Sequence, residues 1–385
     1  MTTNQSGPAS PGCHGTELKA KRIGRDPQKK RVAYLAALLL AAGSTTSQAQ
    51  YTSIPIPPGY VQIQGDIITS ITNAAQLLAQ LHSGEPGIEP EFTYAPATLW
   101  PGRVVPYDFD PGVTAAQQAV FLSAMQAWQN SYPGVTTITF QPRSGQPGFL
   151  HMVVANPGFL GGETDNVGYN GGQVTMTIHP SAVNTFLIAH EMGHALGLWH
   201  EQARNDRDSF VTIDYANIAS GYSSQFDKAS PQGTFGPYDY DSIMHYGACF
   251  FSACSSCSCP NTSCDTVQVV SPYNATWACS IGQQTHLSAM DQRGMAFMYA
   301  PGSWKFLYPL GGSTQTGAFQ QPYTSAATAN TSTPSGSTLW VGPGTYTATG
   351  LTISTPMTIK AALADLQLHS DGSLGPSPSG SVTFR

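Results

Sequence analysis

Apolar positions along the chain change period several times, and each change marks an element. Residues 104–109, 135–140, 150–155 and 174–179 are short runs rich in β-branched and aromatic residues, and are expected to be strands. Behind Thr114, which can cap a helix, Val120, Phe121, Ala124, Met125 and Trp128 recur at helical spacing. Residues 183–195 read as a second, mostly apolar helix, and residues 74–81 as a short helical patch. After residues 300–302 the composition turns to Thr, Ser, Gly and Pro with almost no charge, and short strands around 337–346, 351–353 and 357–360 alternate with turns. Strand-like and helix-like signals alternate up to that point and short strands alone follow it, which puts a domain boundary at 301–302 and a β-rich region beyond.

One apolar run has a different meaning. Lys29-Lys30-Arg31 precedes residues 32–43, and Ser47-Gln48-Ala49 follows with small residues at both key positions. A basic flank, a short apolar segment and a small-residue cleavage site make an export signal over residues 1–49. The run is too short to span a bilayer, and no later stretch is long and apolar enough to do so. The expected location is therefore outside the cytoplasm.

Composition sharpens this picture in two ways. Seven of the 16 basic residues lie in the first 31 positions, so residues 50–385 hold 9 basic and 20 acidic residues, a balance of −11. No basic stripe remains there, which excludes nucleic acid as the partner. Cys13 lies within the export signal, and the other six cysteines (Cys249, Cys254, Cys257, Cys259, Cys264 and Cys279) crowd one segment. An even number in an exported chain predicts disulfides, with the pairing left open; a cysteine-rich metal knot is the rival reading.

The chemistry is concentrated in His190-Glu191-Met192-Gly193-His194-Ala195-Leu196-Gly197-Leu198-Trp199-His200. Histidines four apart on a helix face the same way and can share one ion. Glu191, beside the first, can reach a water on that ion. A third histidine further along a straight helix would be out of reach, but Gly197 can take a left-handed conformation and turn the chain back. His200 then completes three nitrogens and leaves an open position, the pattern of catalytic zinc. His151, His179 and His286 are expected to be ordinary core or surface residues, not ligands.

The motif continues into Glu201-Gln202-Ala203-Arg204-Asn205-Asp206-Arg207-Asp208-Ser209-Phe210-Val211, and Tyr240-Asp241-Ser242-Ile243-Met244-His245-Tyr246-Gly247 follows. In these segments the chain resembles the astacin family of zinc metalloendopeptidases, among the metzincins, over residues 91–301. The resemblance implies a two-lobed α+β metzincin domain: a twisted sheet and active-site helix above, an irregular lobe after Gly197 below. It implies one catalytic Zn²⁺ held by His190, His194 and His200, with Glu191 as general base. Met244 would form the floor of the metal site, and Tyr246 would be a further ligand that swings away to stabilise the oxyanion. Glu201 would reach, through water, the new N-terminus of the processed enzyme. A protein or peptide substrate would pair with an edge strand, expected at 174–179.

Gln62-Ile63-Gln64-Gly65-Asp66-Ile67 resembles the propeptide motif of astacin zymogens, in which the aspartate binds zinc in place of water. Residues 50–90 would then be a propeptide, with the mature enzyme starting near Glu91. Two departures stand out. No cysteine lies between Cys13 and Cys249, so the family's usual disulfides cannot form, and Leu198 stands where Phe is usual. Residues 302–385 resemble the first coils of a right-handed parallel β-helix, and glycan or cell-surface contact is the expectation there. A monomer is expected. The alternative of another class is a non-catalytic surface or glycan-binding protein with a vestigial protease domain; the intact Glu191 counts against it.

Overall fold

The structure, a computed structural model, describes residues 58–63, 66–70, 99–157, 161–228, 236–308, 314–342, 345–348, 350–353, 355–363, 366–375 and 383–384. The export signal, the helical patch at 74–81 and the cleavage point near Glu91 lie outside them.

Seven strands form one twisted sheet: β1 (Tyr60–Ile63), β2 (Ile67–Ser70), β3 (Val104–Phe109), β4 (Thr139–Pro142), β5 (Phe149–Val154), β6 (Gly162–Thr164) and β7 (Gln173–Ile178). Their order across the sheet is β1-β2-β6-β7-β5-β3-β4. β4, β3, β5 and β7 run parallel, and β6 returns antiparallel to β7. On β5 and β7 the alternate residues Leu150, Met152, Val174, Met176 and Ile178 are buried, the half-buried pattern that fixes strand register. Helix α1 (Ala115–Gln129) starts in a capping box between Thr114 and Gln117 and buries Phe121, Ala124, Met125 and Trp128. It packs beside helix α2 (Thr185–Ala195), to which Trp128 Nε1 donates at the Ala189 carbonyl over 3.0 Å.

Two expectations need correction. The run at 135–140 becomes strand only from Thr139, opposite Val104 where its partner β3 begins; before it the Thr136 and Thr137 carbonyls face the Arg103 guanidinium. The strand expected at the edge, 174–179, is internal: β6 covers it. β6 is only Gly-Glu-Thr, too short for any alternation to reveal.

After Gly197 the chain becomes irregular, with short 3-10 turns and the two-stranded pair β8 (Val211–Ile213) and β9 (Val267–Val269). A separate aromatic-rich core, including Phe226, Tyr238, Tyr240, Tyr246 and Phe251, holds this lower lobe together. The two cores give the two lobes expected of the α+β domain. Three disulfides, Cys249–Cys257, Cys254–Cys264 and Cys259–Cys279, staple the lower lobe's long loop.

The break in composition at 301–302 is not a break in packing. Parallel strands Trp304–Leu307, Thr338–Val341 and Thr358–Ala361 follow. Trp304, Phe306 and Trp340 join the upper core around Phe297 of helix α3 (Ala289–Met298). Each such ring adds about 2 kcal/mol by burial. Trp277 of the lower lobe donates to the Asp371 carbonyl at 2.9 Å, so the C-terminal region touches both lobes. Among the described residues no helix is long and apolar enough to cross a membrane.

Candidate metal centre

Helix α2 builds the site. Asn184 caps it, accepting from the N–H groups of Phe186 and Leu187, and its helical period puts His190 and His194 on one face. Gly197, at φ 109°, ends the helix in a conformation that side chains disfavour. Two bonds lock this end: Trp100 Nε1 donates to the Ala195 carbonyl and Tyr299 Oη to the Leu196 carbonyl, each at 2.8 Å. The reversed chain lays the His200 ring 4.6 Å from that of His194.

All three imidazoles converge on Asp66, which precedes β2. Nε2 of His190 and of His200 each lie 3.1 Å from Asp66 Oδ2, and Nε2 of His194 lies 3.4 Å from Oδ1. Their tautomers follow from their other partners. Nδ1 of His190 donates to the Ile243 carbonyl at 2.6 Å, and Nδ1 of His194 donates to the Leu198 carbonyl at 2.8 Å. Nε2 is therefore the atom each of these rings turns to the carboxylate.

A nitrogen lone pair facing an anion repels it unless a proton or a metal ion lies between them. His194 Nε2 and Asp66 Oδ1 are both buried without a hydrogen-bond partner. Zinc binds imidazole and carboxylate at about 2.0–2.2 Å in a tetrahedron, which separates the donor atoms by about 3.3 Å. The separations here bracket that value, and the three-nitrogen, one-oxygen set is one zinc accepts. The residues therefore fit a single Zn²⁺.

Glu191 is buried one residue along the helix. Burial, then the charge of Asp66, pushes its carboxyl well above the usual range. Met244 lies directly beneath the helix: a Cβ on Gly193 would come within 2.6 Å of its Sδ, so only glycine admits this floor. Tyr246 packs its ring 4.6 Å from that of His200 and 4.8 Å from the stacked ring of Phe250. Burial, with the charges of Asp66 and Glu191, raises its phenol well above its ordinary value. Glu201 accepts from Arg204 Nη1 at 3.0 Å and from the Asp239 N–H at 2.9 Å. Burial lifts it to about 7 even so.

A family model supplies the deciding observation: the model for the astacin peptidase family matches residues 92–300, more than half of the chain. The chain belongs to the astacin family. Zinc metalloproteinase dpy-31 of Caenorhabditis elegans is 32% identical over 241 residues, covering 61% of this chain and 38% of the relative. Tolloid-like protein 1 of Mus musculus is 32% identical over 231 residues, 59% of this chain and 21% of the relative. The chain thus spans well under half the length of either. Among solved structures, high choriolytic enzyme 1, a hatching enzyme zinc-protease from Oryzias latipes, is 27% identical, with 55% of this chain and 98% of that one covered and a TM-score of 0.45.

Every site residue singled out in the sequence of this astacin-family chain gathers at one place except Glu201 and the cysteines, which flank it. The three histidines expected to be ordinary residues pair elsewhere: His151 with Asp108, His179 with Ser181 and His286 with Asp241. Sequence reasoning missed three neighbours. Asp291 accepts from the Ile243 N–H at 2.8 Å, while Thr164 and Gly162 of β6 touch Glu191. Only Asp291 had a visible signal, as the fourth residue of a Ser-x-x-Asp capping pattern at the start of α3.

Proposed function

We propose that this chain is an exported zinc-dependent metalloendopeptidase, made as an inactive precursor, that hydrolyses peptide bonds in proteins. The observation that carries the reading is the convergence of three imidazole nitrogens on Asp66 beside a buried Glu191. His190, His194 and His200 would hold the ion. Bound there, zinc supplies Lewis acidity, lowering the pKa of a water and polarising the scissile carbonyl.

The rest falls to the chain's own groups. Glu191 accepts the water's proton on its carboxylate and later delivers it to the leaving amine. Tyr246, next to His200, turns its hydroxyl to the oxygen on which charge develops. The Ile243 and Leu198 carbonyls hold His190 and His194 in the ligating tautomer. Substrate lies extended along β6, the edge strand once β1 and β2 are gone.

In the precursor, Asp66 takes the position the water needs, and β2 occupies the substrate's edge, running parallel to β6. Cleavage near Glu91 frees both. The disulfide-stapled loop suits an oxidising compartment, in keeping with export through residues 1–49. Residues 302–385 brace the two lobes in this reading.

The experiment is hydrolysis of a quenched peptide by the processed enzyme, stripped with a chelator and reloaded with zinc. Activity should vanish and return. Glu191→Ala should keep the zinc and lose about 10²–10⁴ in rate; activity within tenfold of wild type would remove Glu191 from the role.

A further inference from the structure

Glu191 does not stand free over the metal ligands. Thr164 Oγ1 lies 3.0 Å from Glu191 Oε2 and 3.0 Å from the carbonyl oxygen of the same residue. The hydroxyl therefore sits between the carboxylate and the helix backbone that carries it, with one proton to share between the two acceptors, and Thr164 is fully buried. Two residues earlier on the same strand, a Cβ on Gly162 would lie 2.6 Å from Glu191 Cγ and 2.8 Å from Oε1. No such gap is found between real Cβ atoms and their neighbours, so the side chain of Glu191 occupies the space that any residue larger than glycine would need.

These two residues share a face of β6. They alternate with Gly161, Glu163 and Asp165, which turn towards the β7 side: His179 N–H donates to the Gly161 carbonyl, Glu163 stands opposite Thr177, and Asp165 N–H donates to the Thr175 carbonyl. The Thr164 N–H points the other way and donates to the Asp66 carbonyl at 2.9 Å. One residue thus grips the peptide lying along the edge with its backbone and the carboxylate of Glu191 with its side chain.

We infer that Gly162 and Thr164 are positioning residues for Glu191: Thr164 aims its carboxylate through a hydroxyl hydrogen bond, and Gly162 leaves the space in which it rests. The inference rests on Glu191 being the general base. A base must stand within hydrogen-bond reach of the proton it takes, and an error of about 1 Å can lose on the order of a hundredfold in rate. A glutamate has three side-chain torsions, and burial alone does not choose among them. The threonine hydroxyl does, because it can donate to Oε2 only in one orientation of the carboxylate.

The test uses the processed enzyme, loaded with zinc, with kcat and KM measured on a quenched peptide and zinc measured by elemental analysis. Thr164→Val keeps the shape and removes the hydroxyl. It should lower kcat at least tenfold, with KM and zinc content within about twofold of wild type. Thr164→Ser should restore most of that loss, which a role in packing alone would not produce. Gly162→Ala is the second, independent variant. It should also lower kcat more than it alters KM, with zinc retained, and it keeps the question open to refutation if the valine variant fails to fold. The proposal is overturned if Thr164→Val or Gly162→Ala retains kcat within twofold. It is equally overturned if the serine and valine variants are impaired alike. A wild-type enzyme that binds zinc but cleaves no peptide, or an active Glu191→Ala control, would instead overturn the reading of the base itself.

Discussion

Asp291 holds the backbone N–H of Ile243 at 2.8 Å, and the carbonyl of that same Ile243 takes the Nδ1 proton of His190. The carboxylate is thereby joined to the metal centre through a single residue. Its other oxygen accepts from Ser242 Oγ at 2.6 Å, and its backbone N–H closes the cap of α3 on Ser288. The segment that carries Met244 is fixed from below by this one side chain.

Asp291→Ala should therefore loosen the Ile243 carbonyl and the orientation of His190. Outer-shell partners of metal-bound histidines typically contribute 10–100-fold in affinity, so zinc affinity should fall by about that much. Orphaned buried donors should also destabilise the fold by roughly 2–4 kcal/mol. Competition with a chromogenic chelator and thermal unfolding measure the two effects. Unchanged zinc affinity would show that the link does not transmit.

The metal centre was legible in the sequence because its logic is local. His190, His194, Gly197 and His200 lie on one helix and its turn, where spacing alone decides which side chains meet. The existence of α1 and of strands β3, β5 and β7 was legible for the same reason, since period and capping are short-range signals, whereas the place of β7 inside the sheet was not. Contacts that arise only when distant segments meet were not. Thr164 and Glu191 are 27 residues apart, the first in a bare Gly-Glu-Thr, and nothing in that stretch announces an edge strand. The pairing of the cysteines and the joining of residues 302–385 to the upper core likewise depend on tertiary packing. The strand expected at 135–140 forms only over its last two residues, because its partner β3 begins at Val104, opposite Thr139.

Phe250 offers a test of the disulfide-stapled loop. Its ring is stacked on Tyr246 at 4.8 Å, with planes 19° apart, from a position one residue beyond Cys249. Aromatic pairs of this kind contribute about 0.5–1.5 kcal/mol. Phe250→Ala should lower kcat roughly threefold to tenfold by letting Tyr246 wander, with zinc content unchanged. Phe250→Tyr, which preserves the stack, should recover most of the rate. Equal rates for alanine and wild type would separate the loop from Tyr246.

Glu163 gives a pH signature in the uncut precursor. Burial, with a smaller contribution from Asp165 and against a hydrogen bond from Thr177, lifts its carboxyl from 4.5 to about 7. A carboxyl raised in the folded state binds its proton more tightly there than in the unfolded chain. It destabilises the fold above about pH 7, and the penalty fades as pH falls towards 4.5. Glu163→Gln should therefore raise Tm at about pH 8, and this advantage should shrink steadily on acidification through that window. Thermal scans of both proteins across the range measure it. A constant difference at every pH would contradict the assignment.

In the proposed zymogen Asp66 holds the zinc endopeptidase latent, its carboxylate 3.1 Å from the Nε2 atoms of His190 and His200. The direct measurement is the rate of quenched-peptide hydrolysis by zinc-loaded, uncut precursor, wild type against Asp66→Ala. The wild-type precursor should be inactive until cut near Glu91. The Asp66→Ala precursor should hydrolyse the peptide slowly without being cut, below the rate of the processed enzyme because β2 still covers the edge of β6, and that activity should disappear with Glu191→Ala. A wild-type precursor as active as the processed enzyme, or an Asp66→Ala precursor no more active than wild type, would contradict the account.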